Sequence, residues 1–366
     1  MLELPKGEHP QGCETGKRDL VEEDRIRLEL AVGEDHEIYA WPGETTFDLN
    51  EPAQFGVGGA MATGLFAMLL DGALVADADP ASYRFLGTID AAGREMAEYS
   101  YRVPQARSHY NLSDQFSRAV VGYEGTVRID AKTADVVQLT TVLNVPLTFM
   151  DLCAVRVLLE YRRQKIQSTE PLLVQSVDID MVHRTGEEAH NRMVYSGCHM
   201  FTTESTVHFD SVDDAAPADI GAAPRAVTDA AALPAGLRLQ MALTAPIDFK
   251  KQAIGDIVEA ALTSDLKDQR GRVIAAKGSK VQARIVSFKH YVQDDSLLLG
   301  LRPERLVRKG GAVSPIRASL AHMPKGAIFT LTPKGTPPGT AFFTFEKLKQ
   351  LSLPAGWTTT WFTIAK

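Results

Sequence analysis

The sequence predicts a mainly β protein with few helices: a curved antiparallel sheet wrapping an apolar helix, plus a separate small β-barrel domain. Three observations predict it. Short runs between residues 25 and 210 alternate polar and apolar residues with period two, the pattern of strands with one buried face. A second series of short strands, spaced by glycine turns, starts at residue 233, as in small barrels and sandwiches. The charge divides at the same place. Residues 233–366 carry 20 Lys+Arg against 9 Asp+Glu, whereas residues 1–232 carry 19 against 37, so the net charge of −7 conceals a basic body and an acidic one. The basic body either meets an anionic partner or meets its acidic neighbour.

Residues 1–24 read as a solvated leader, rich in charge, Pro and Gly. A sheet-and-helix domain follows over 25–210. Arg25 to Val32 alternates cleanly, and Glu37 to Trp41 is a second strand stopped by Pro42-Gly43. An apolar helix is expected near 53–70, closed by Gly72. Ser82–Ile89 and Glu95–Val103 form a hairpin around Asp90–Gly93, with Tyr99, Tyr101 and Val103 on one face and Arg102 on the other. Tyr123–Asp130 and Asp135–Thr140 form the next hairpin, and Val155–Tyr161, Leu172–Val182, Arg192–Tyr195 and Thr206–Phe209 continue the meander. Sequential hairpins with one buried face give an antiparallel sheet that can wrap a helix. Residues 211–232 are an Ala/Asp/Pro linker without periodicity. The basic barrel over 233–366 takes strands at Leu237–Leu243, Gly255–Leu262, Val273–Ala275 and Gly278–Val286, with Phe342–Phe345 and Trp357–Ile364 closing it.

At 366 residues, 45% hydrophobic and 23% charged, the chain can bury two cores. Its net negative charge argues against nucleic acid as a partner of the whole protein. Cys13, Cys153 and Cys198 are too few for a disulfide scaffold and include no C-x-x-C pair, which excludes a cysteine zinc site and thioredoxin-type chemistry; one bridge is allowed without being favoured by spacing. Met1 to Arg27 lacks the basic-then-apolar order of a signal peptide. The uncharged stretch Pro52–Leu70 approaches the ~20 residues of a membrane span. It carries Gln54, Thr63 and four glycines, so a buried helix is the better reading and no membrane span is expected.

Two segments resemble known families. Leu233-Pro234-Ala235-Gly236, Ala245-Pro246-Ile247-Asp248, Ile254-Gly255-Asp256-Ile257-Val258-Glu259-Ala260 and Ala276-Lys277-Gly278-Ser279-Lys280-Val281 follow the order of motifs in the TrbI-like β module of secretion-channel and envelope proteins. The segment Phe55–Leu70, the hairpin strand Tyr123-Glu124-Gly125-Thr126-Val127-Arg128-Ile129-Asp130 with Leu139, and Glu160-Tyr161 resemble the LolA-type lipoprotein-carrier fold, a curved half-barrel around a helix. These resemblances imply a bacterial cell-envelope or periplasmic location and, for the first domain, a lipid-like ligand. Shared fold does not itself transfer function.

Candidate chemistry is sparse. His183, His190, Cys198, His199 and His208 fall within one short stretch and could supply metal ligands, but Cys198 and His199 are neighbours that a strand would point to opposite faces. Asp178-Ile179-Asp180 places two carboxylates on one strand face, with a solvated outer face as the simpler reading. Gly56 to Gly59 lacks the Lys and Ser/Thr of a phosphate loop and reads as close helix packing. Trp41, Phe47, Phe55, Phe66, Leu69, Tyr83 and Phe85 are candidates to line an apolar cavity under the sheet. Lys250, Lys251, Arg270, Arg272, Lys280, Arg284, Arg305 and Arg308 are candidates for a surface that meets an anionic partner. The sequence thus points to a non-enzymatic envelope protein, a binding or assembly module that calls for no cofactor. Two alternatives stand beside it: a carrier of a lipid-like apolar ligand in the first domain, and a metal-dependent hydrolase built on His183, His190, His199 and His208.

Overall fold

The computed structural model describes residues 19–32, 37–44, 47, 64–66, 68–76, 82–91, 93–113, 118–145, 152–200, 233–330, 336 and 338–364. The expected linker, Phe55, the Gly56–Gly59 run, His208 and the strand at 206–209 lie outside them. Strands dominate, and helix is confined to short pieces. In chain order, β1 (Glu22–Asp24), β2 (Glu29–Val32) and β3 (Glu37–Ala40) precede a one-turn helix, α1 (Met68–Asp71). Then come β4 (Arg84–Ala91), β5 (Arg94–Val103), β6 (Asn111–Ser113), β7 (Arg118–Val120), β8 (Tyr123–Asp130), β9 (Val136–Leu143), β10 (Leu152–Arg163), β11 (Leu172–His183) and β12 (Glu188–Val194). The remaining strands are β13 (Arg238–Leu243), β14 (Ile247–Asp248), β15 (Ile257–Leu262), β16 (Leu266–Lys267), β17 (Val273–Ala275), β18 (Lys280–Tyr291), β19 (Ser296–Val307), β20 (Val313–Pro315), β21 (Ala318–Leu320), β22 (Ile328–Phe329), β23 (Ala341–Glu346), β24 (Ser352–Leu353) and β25 (Thr358–Thr363).

The described residues form two compact units, and the chain crosses between them more than once. Residues 64–200, with Val32 and Glu37, make one; residues 19–31, 38–44, 47 and 233–364 make the other. Residues 19–31, which cover the described end of the expected leader and most of the expected first strand, therefore belong to the second unit. The first unit is an insertion between that segment and the rest of its body.

The first unit is a curved antiparallel half-barrel with the strand order β12-β11-β10-β9-β8-β5-β4. Its curl has a local cause. Gly125, central in β8, faces Thr141 of β9, and a Cβ built on it would lie 1.7 Å from the Thr140 carbonyl oxygen. Only glycine permits that approach. Tyr101 of β5 stands opposite Gly125 and reaches across it. Its hydroxyl donates to the Thr140 carbonyl at 3.0 Å and shares a 2.7 Å bond with Thr141 Oγ1. Register shifts at Phe85/Gly87, Arg128/Ile129 and Glu160/Tyr161 add bends.

The helix expected over 53–70 is shorter where it is described. Gly64 takes a left-handed φ of 76°, Gly64–Phe66 form a turn, and helix starts only at Met68, running past Gly72 into a π-helical turn over Gly72–Ala76. The physical reason is a competing acceptor. The buried Glu37 carboxylate takes the amides of Gly64 and Phe66 at 2.7 and 2.9 Å, so the chain is held as a turn there. Leu65, Leu69 and Ala73 from this segment are buried against Tyr101, Val127, Leu139, Val157, Leu159 and Val177 of the sheet.

The second unit centres on a ten-stranded antiparallel sheet in which β21-β25-β13-β15-β18-β19-β23-β22 are consecutive, β1 adds to β18 and β20 adds to β19. Trp361, Phe249, Phe288, Phe343 and Phe345 are fully buried in its core. The N-terminal segment is bound along this body. Glu22–Asp24 pairs with Tyr291–Lys289, Ile26 bridges Ile254, and the Arg27 and Ile254 amides donate to Ile254 and Arg25 carbonyls, each at 2.8 Å. Gly255, with φ 100°, lets Arg27 and Trp41 approach; a Cβ there would sit 2.4 Å from the Arg27 carbonyl oxygen.

Gly125→Ala should lower the first unit's melting transition by roughly 6–12 °C in calorimetry, because backbone rather than a movable side chain blocks the added methyl, at a cost of about 3 kcal/mol. An unchanged transition would contradict the origin given for the curl.

Candidate functional site

The inner face of the half-barrel carries several phenols among its aliphatic side chains. Alternation along the strands turns Tyr99 and Tyr101 of β5, Tyr123 of β8 and Tyr161 of β10 toward the core, while Tyr83, Tyr110 and Tyr195 pack on it from flanking segments. Tyr83, Tyr101, Tyr123 and Tyr110 form a chain of rings with centroids 6.4, 6.3 and 6.1 Å apart. Phe66 meets Tyr195 edge-on at 4.9 Å. Burial pushes the Tyr110 hydroxyl up to about 12. It also raises Tyr83, Tyr101, Tyr161 and Tyr195, the last with help from the Glu37 carboxylate. All five therefore remain neutral phenols at physiological pH and act as hydrogen-bond donors rather than nucleophiles. Tyr101 is committed to Thr140 and Thr141, and Tyr83 donates to the Ala73 carbonyl. The Tyr161 hydroxyl is buried with no hydrogen-bond partner among the described residues.

The residues expected to line an apolar cavity are only partly brought together. Phe66 and Leu69 lie in this core and Tyr83 packs against it. Phe85 stacks near Tyr99 at 5.2 Å but is 55% exposed toward the β4 edge. Trp41 and Phe47 group with the second unit, where Trp41 packs on the core beneath the Arg284 guanidinium at 5.7 Å. Glu37 and the tyrosines at 99, 101, 110, 123, 161 and 195 were missed as site residues. A signal was present: seven of the nine tyrosines fall between residues 83 and 195, too many for rings that need a polar partner when buried.

The histidines do not converge. His190 is exposed on the opposite sheet face, its Nδ1 2.7 Å from Asp180 and its Nε2 3.6 Å from Asp178. His183 opens the turn to β12, and His199 is exposed beyond it. Among the described residues no group of three His, Cys, Asp or Glu is placed to hold a metal. Val177 and Ile179 are buried and Asp180 is exposed, but Asp178 departs from the solvated-face reading, its side chain only 16% exposed beside His190 and Arg192. Cys153 is disulfide-bonded and Cys198 is free.

The basic candidates are largely answered by local acids. Lys251 pairs with Asp248 at 3.3 Å, Arg272 with Asp268 at 2.7 Å, Lys280 with Glu259 at 3.1 Å and Arg305 with Glu44 at 3.6 Å, while Arg308 donates to Ser314 at 3.1 Å. Lys250 and Arg270 are exposed. Arg284 is not a surface residue: its side chain is 1% exposed, donating to Glu304, Glu44 and the Gly255 carbonyl. Glu22 and Glu23 of the N-terminal segment meet Lys289 and His290 in the same way. An open cleft of about 340 Å³ lies between Leu320–Met323 and Thr340–Phe342.

Compared with protein-family models, curated protein sequences and solved structures, the chain matches none. Among the described residues no helix is long and apolar enough to cross a membrane.

Burial pushes the Glu304 carboxyl up, but hydrogen bonds and charge from Arg284 and Arg302 outweigh it and hold the group below its ordinary 4.5. A depressed carboxyl stabilises the fold above its unfolded value and loses that contribution as pH falls through the folded one. The second unit should thus hold constant stability from pH 7 down to about 5 and weaken below that. Glu304→Gln should cost about 3 kcal/mol at pH 7 and flatten the acid limb, since it strips a buried guanidinium of a counter-charge. Denaturant melts at stepped pH check this; equal stability of the two proteins at pH 7 would refute it.

Proposed function

We propose that this chain is a non-enzymatic binding protein of an oxidising, extracytoplasmic compartment, and that its half-barrel takes an apolar, lipid-like ligand against the tyrosine face. The second unit then serves as a small barrel for attachment or assembly. The observation that supports the ligand reading is the inner face itself: tyrosine rings set among aliphatic side chains, with a buried Tyr161 hydroxyl that has no hydrogen-bond partner among the described residues. Ligand sites are mostly apolar with a few aimed polar groups. The Cys153 disulfide supports the compartment in this reading, because such bonds persist in oxidising surroundings. The likeness to lipoprotein carriers and envelope β modules points the same way. Local pairing of Lys251, Arg272 and Lys280 speaks against reading the second unit as a continuous anion-binding patch.

The environment-sensitive dye N-phenyl-1-naphthylamine should bind the full chain saturably, and Leu69→Asp, which places a carboxylate in the inner-face core, should abolish that signal while leaving the second unit's melting transition in place. Absence of saturable binding, or binding untouched by Leu69→Asp and hence located elsewhere, for example in the cleft at Phe342, would overturn the reading.

A further inference from the structure

We infer that the second unit takes an extended acidic peptide segment as an added strand, in the gap between β21 and the start of β23. The inference rests on the reading of the second unit as an attachment body, and it gives that body a place and a partner chemistry.

Strands β21 and β22 are the two ends of the consecutive strand order, and among the described residues each pairs with a strand on one side only. Across β21 and β25, the Ile364 amide donates to the Arg317 carbonyl and the Ala321 amide to the Thr360 carbonyl. Antiparallel bonding alternates, so positions 317, 319 and 321 bond toward β25, and the amide and carbonyl of Leu320 point away from it. On the other bank, β22 covers β23 only at Phe343 and Thr344, so Ala341 and Phe342 meet β19 on one side and the cleft on the other. The banks come together where a Cβ built on Gly339, with φ 87°, would lie 3.2 Å from the Ala318 carbonyl oxygen. Beyond that contact lies the cleft of about 340 Å³, with Leu320, Met323 and Phe342 in its walls. A strand edge with open backbone groups beside apolar walls suits strand addition, in which main-chain bonds give affinity and alternate side chains enter the pockets.

Charge decides which peptide. Residues 305–366 hold nine Lys or Arg and one acid, Glu346. The acids of the N-terminal segment are spent on β18 and β19, where Glu22, Glu23 and Glu44 meet Lys289, His290, Arg284 and Arg305. Arg317, which precedes β21, and Lys325, in the turn that leads to β22, are exposed and make no ion pair among the described residues. His322 between them is exposed as well. Carboxylates along an added strand would face these cations, whereas a basic strand would be repelled. Apolar residues at the alternate positions of that strand would turn to Leu320, Met323 and Phe342.

The test uses the full chain and short fluorescein-labelled peptides that alternate Glu with Val, Lys with Val, or Glu with Pro; the last keeps the charge and loses main-chain donors. In fluorescence anisotropy the Glu/Val peptide should bind saturably and at least about tenfold tighter than either control. It should also slow hydrogen exchange at the Leu320 amide. Arg317→Glu combined with Lys325→Glu, both at exposed positions, should weaken this peptide by at least about tenfold and leave the melting temperature unchanged. Equal binding of the Glu/Val and Glu/Pro peptides overturns strand addition, and equal binding of the Glu/Val and Lys/Val peptides overturns the acidic partner. Binding untouched by the double variant overturns the inference too. Tight Glu/Val binding without protection of Leu320, or binding to phosphatidylglycerol vesicles in place of any peptide, overturns the inference but leaves the attachment reading standing. Binding to neither peptides nor vesicles removes both.

Discussion

The Thr140 carbonyl oxygen of β9 comes down onto Gly125 of β8 so closely that no side chain fits between them, and the first unit is arranged around that contact. The approach curls the sheet. The curl turns inward-facing positions of β5, β8 and β10 toward one another, which is why Tyr101, Tyr123 and Tyr161 share a core although they are far apart in sequence. Tyr101 covers the bare glycine and spends its hydroxyl on the same two threonines that crowd it. Geometry and polarity are thus linked: the residue that covers the bare glycine also has its hydroxyl engaged by the strand that crowds it.

The second unit solves a different problem, an excess of positive charge. Its own strands supply Asp248, Glu259 and Glu304, the turn after β16 supplies Asp268, and the N-terminal segment brings Glu22, Glu23 and Glu44. Arg284 is the extreme case, a guanidinium removed from solvent and matched by two carboxylates, a carbonyl and the face of Trp41. Removing such a group from water is costly unless every donor is answered. That requirement ties residues 41–44 to β18 and β19. The acidic neighbour that meets the basic body is therefore its own N-terminal segment, separated from it in sequence by the whole half-barrel.

Much of this architecture was legible in the sequence. Period-two alternation with glycine-marked turns located β4, β5, β8, β9, β10, β11, β13, β15 and β18, because each has one buried face or a clear turn beside it. Strand β19 was not legible. It is paired on both sides by β18 and β23 and buried on both faces, so its leucines do not alternate, and Pro303 argues against a strand until its register shift opposite Ala283 is seen. The helix near residue 64 was overread because its apolar spacing says nothing of a carboxylate 27 residues upstream that takes its amides. Of the site, Phe66, Leu69 and Tyr83 were legible as apolar candidates. The tyrosine face was not, because each ring is unremarkable in its own strand and only the curl of the sheet gathers them. Trp41 and Phe47 were misplaced for a related reason: neighbours in sequence were assumed to share a body, and the chain crosses between bodies at residues 32–38.

The central claim, that the tyrosine face exists to hold an apolar molecule, is tested most directly by native mass spectrometry of the full chain purified without detergent. The account predicts a discrete bound adduct, lost on collisional activation and recovered by solvent extraction as a neutral lipid. Protein at its bare mass, together with an experimental structure in which Tyr161 is closed over by protein side chains and hydrogen-bonded to one of them, would contradict it.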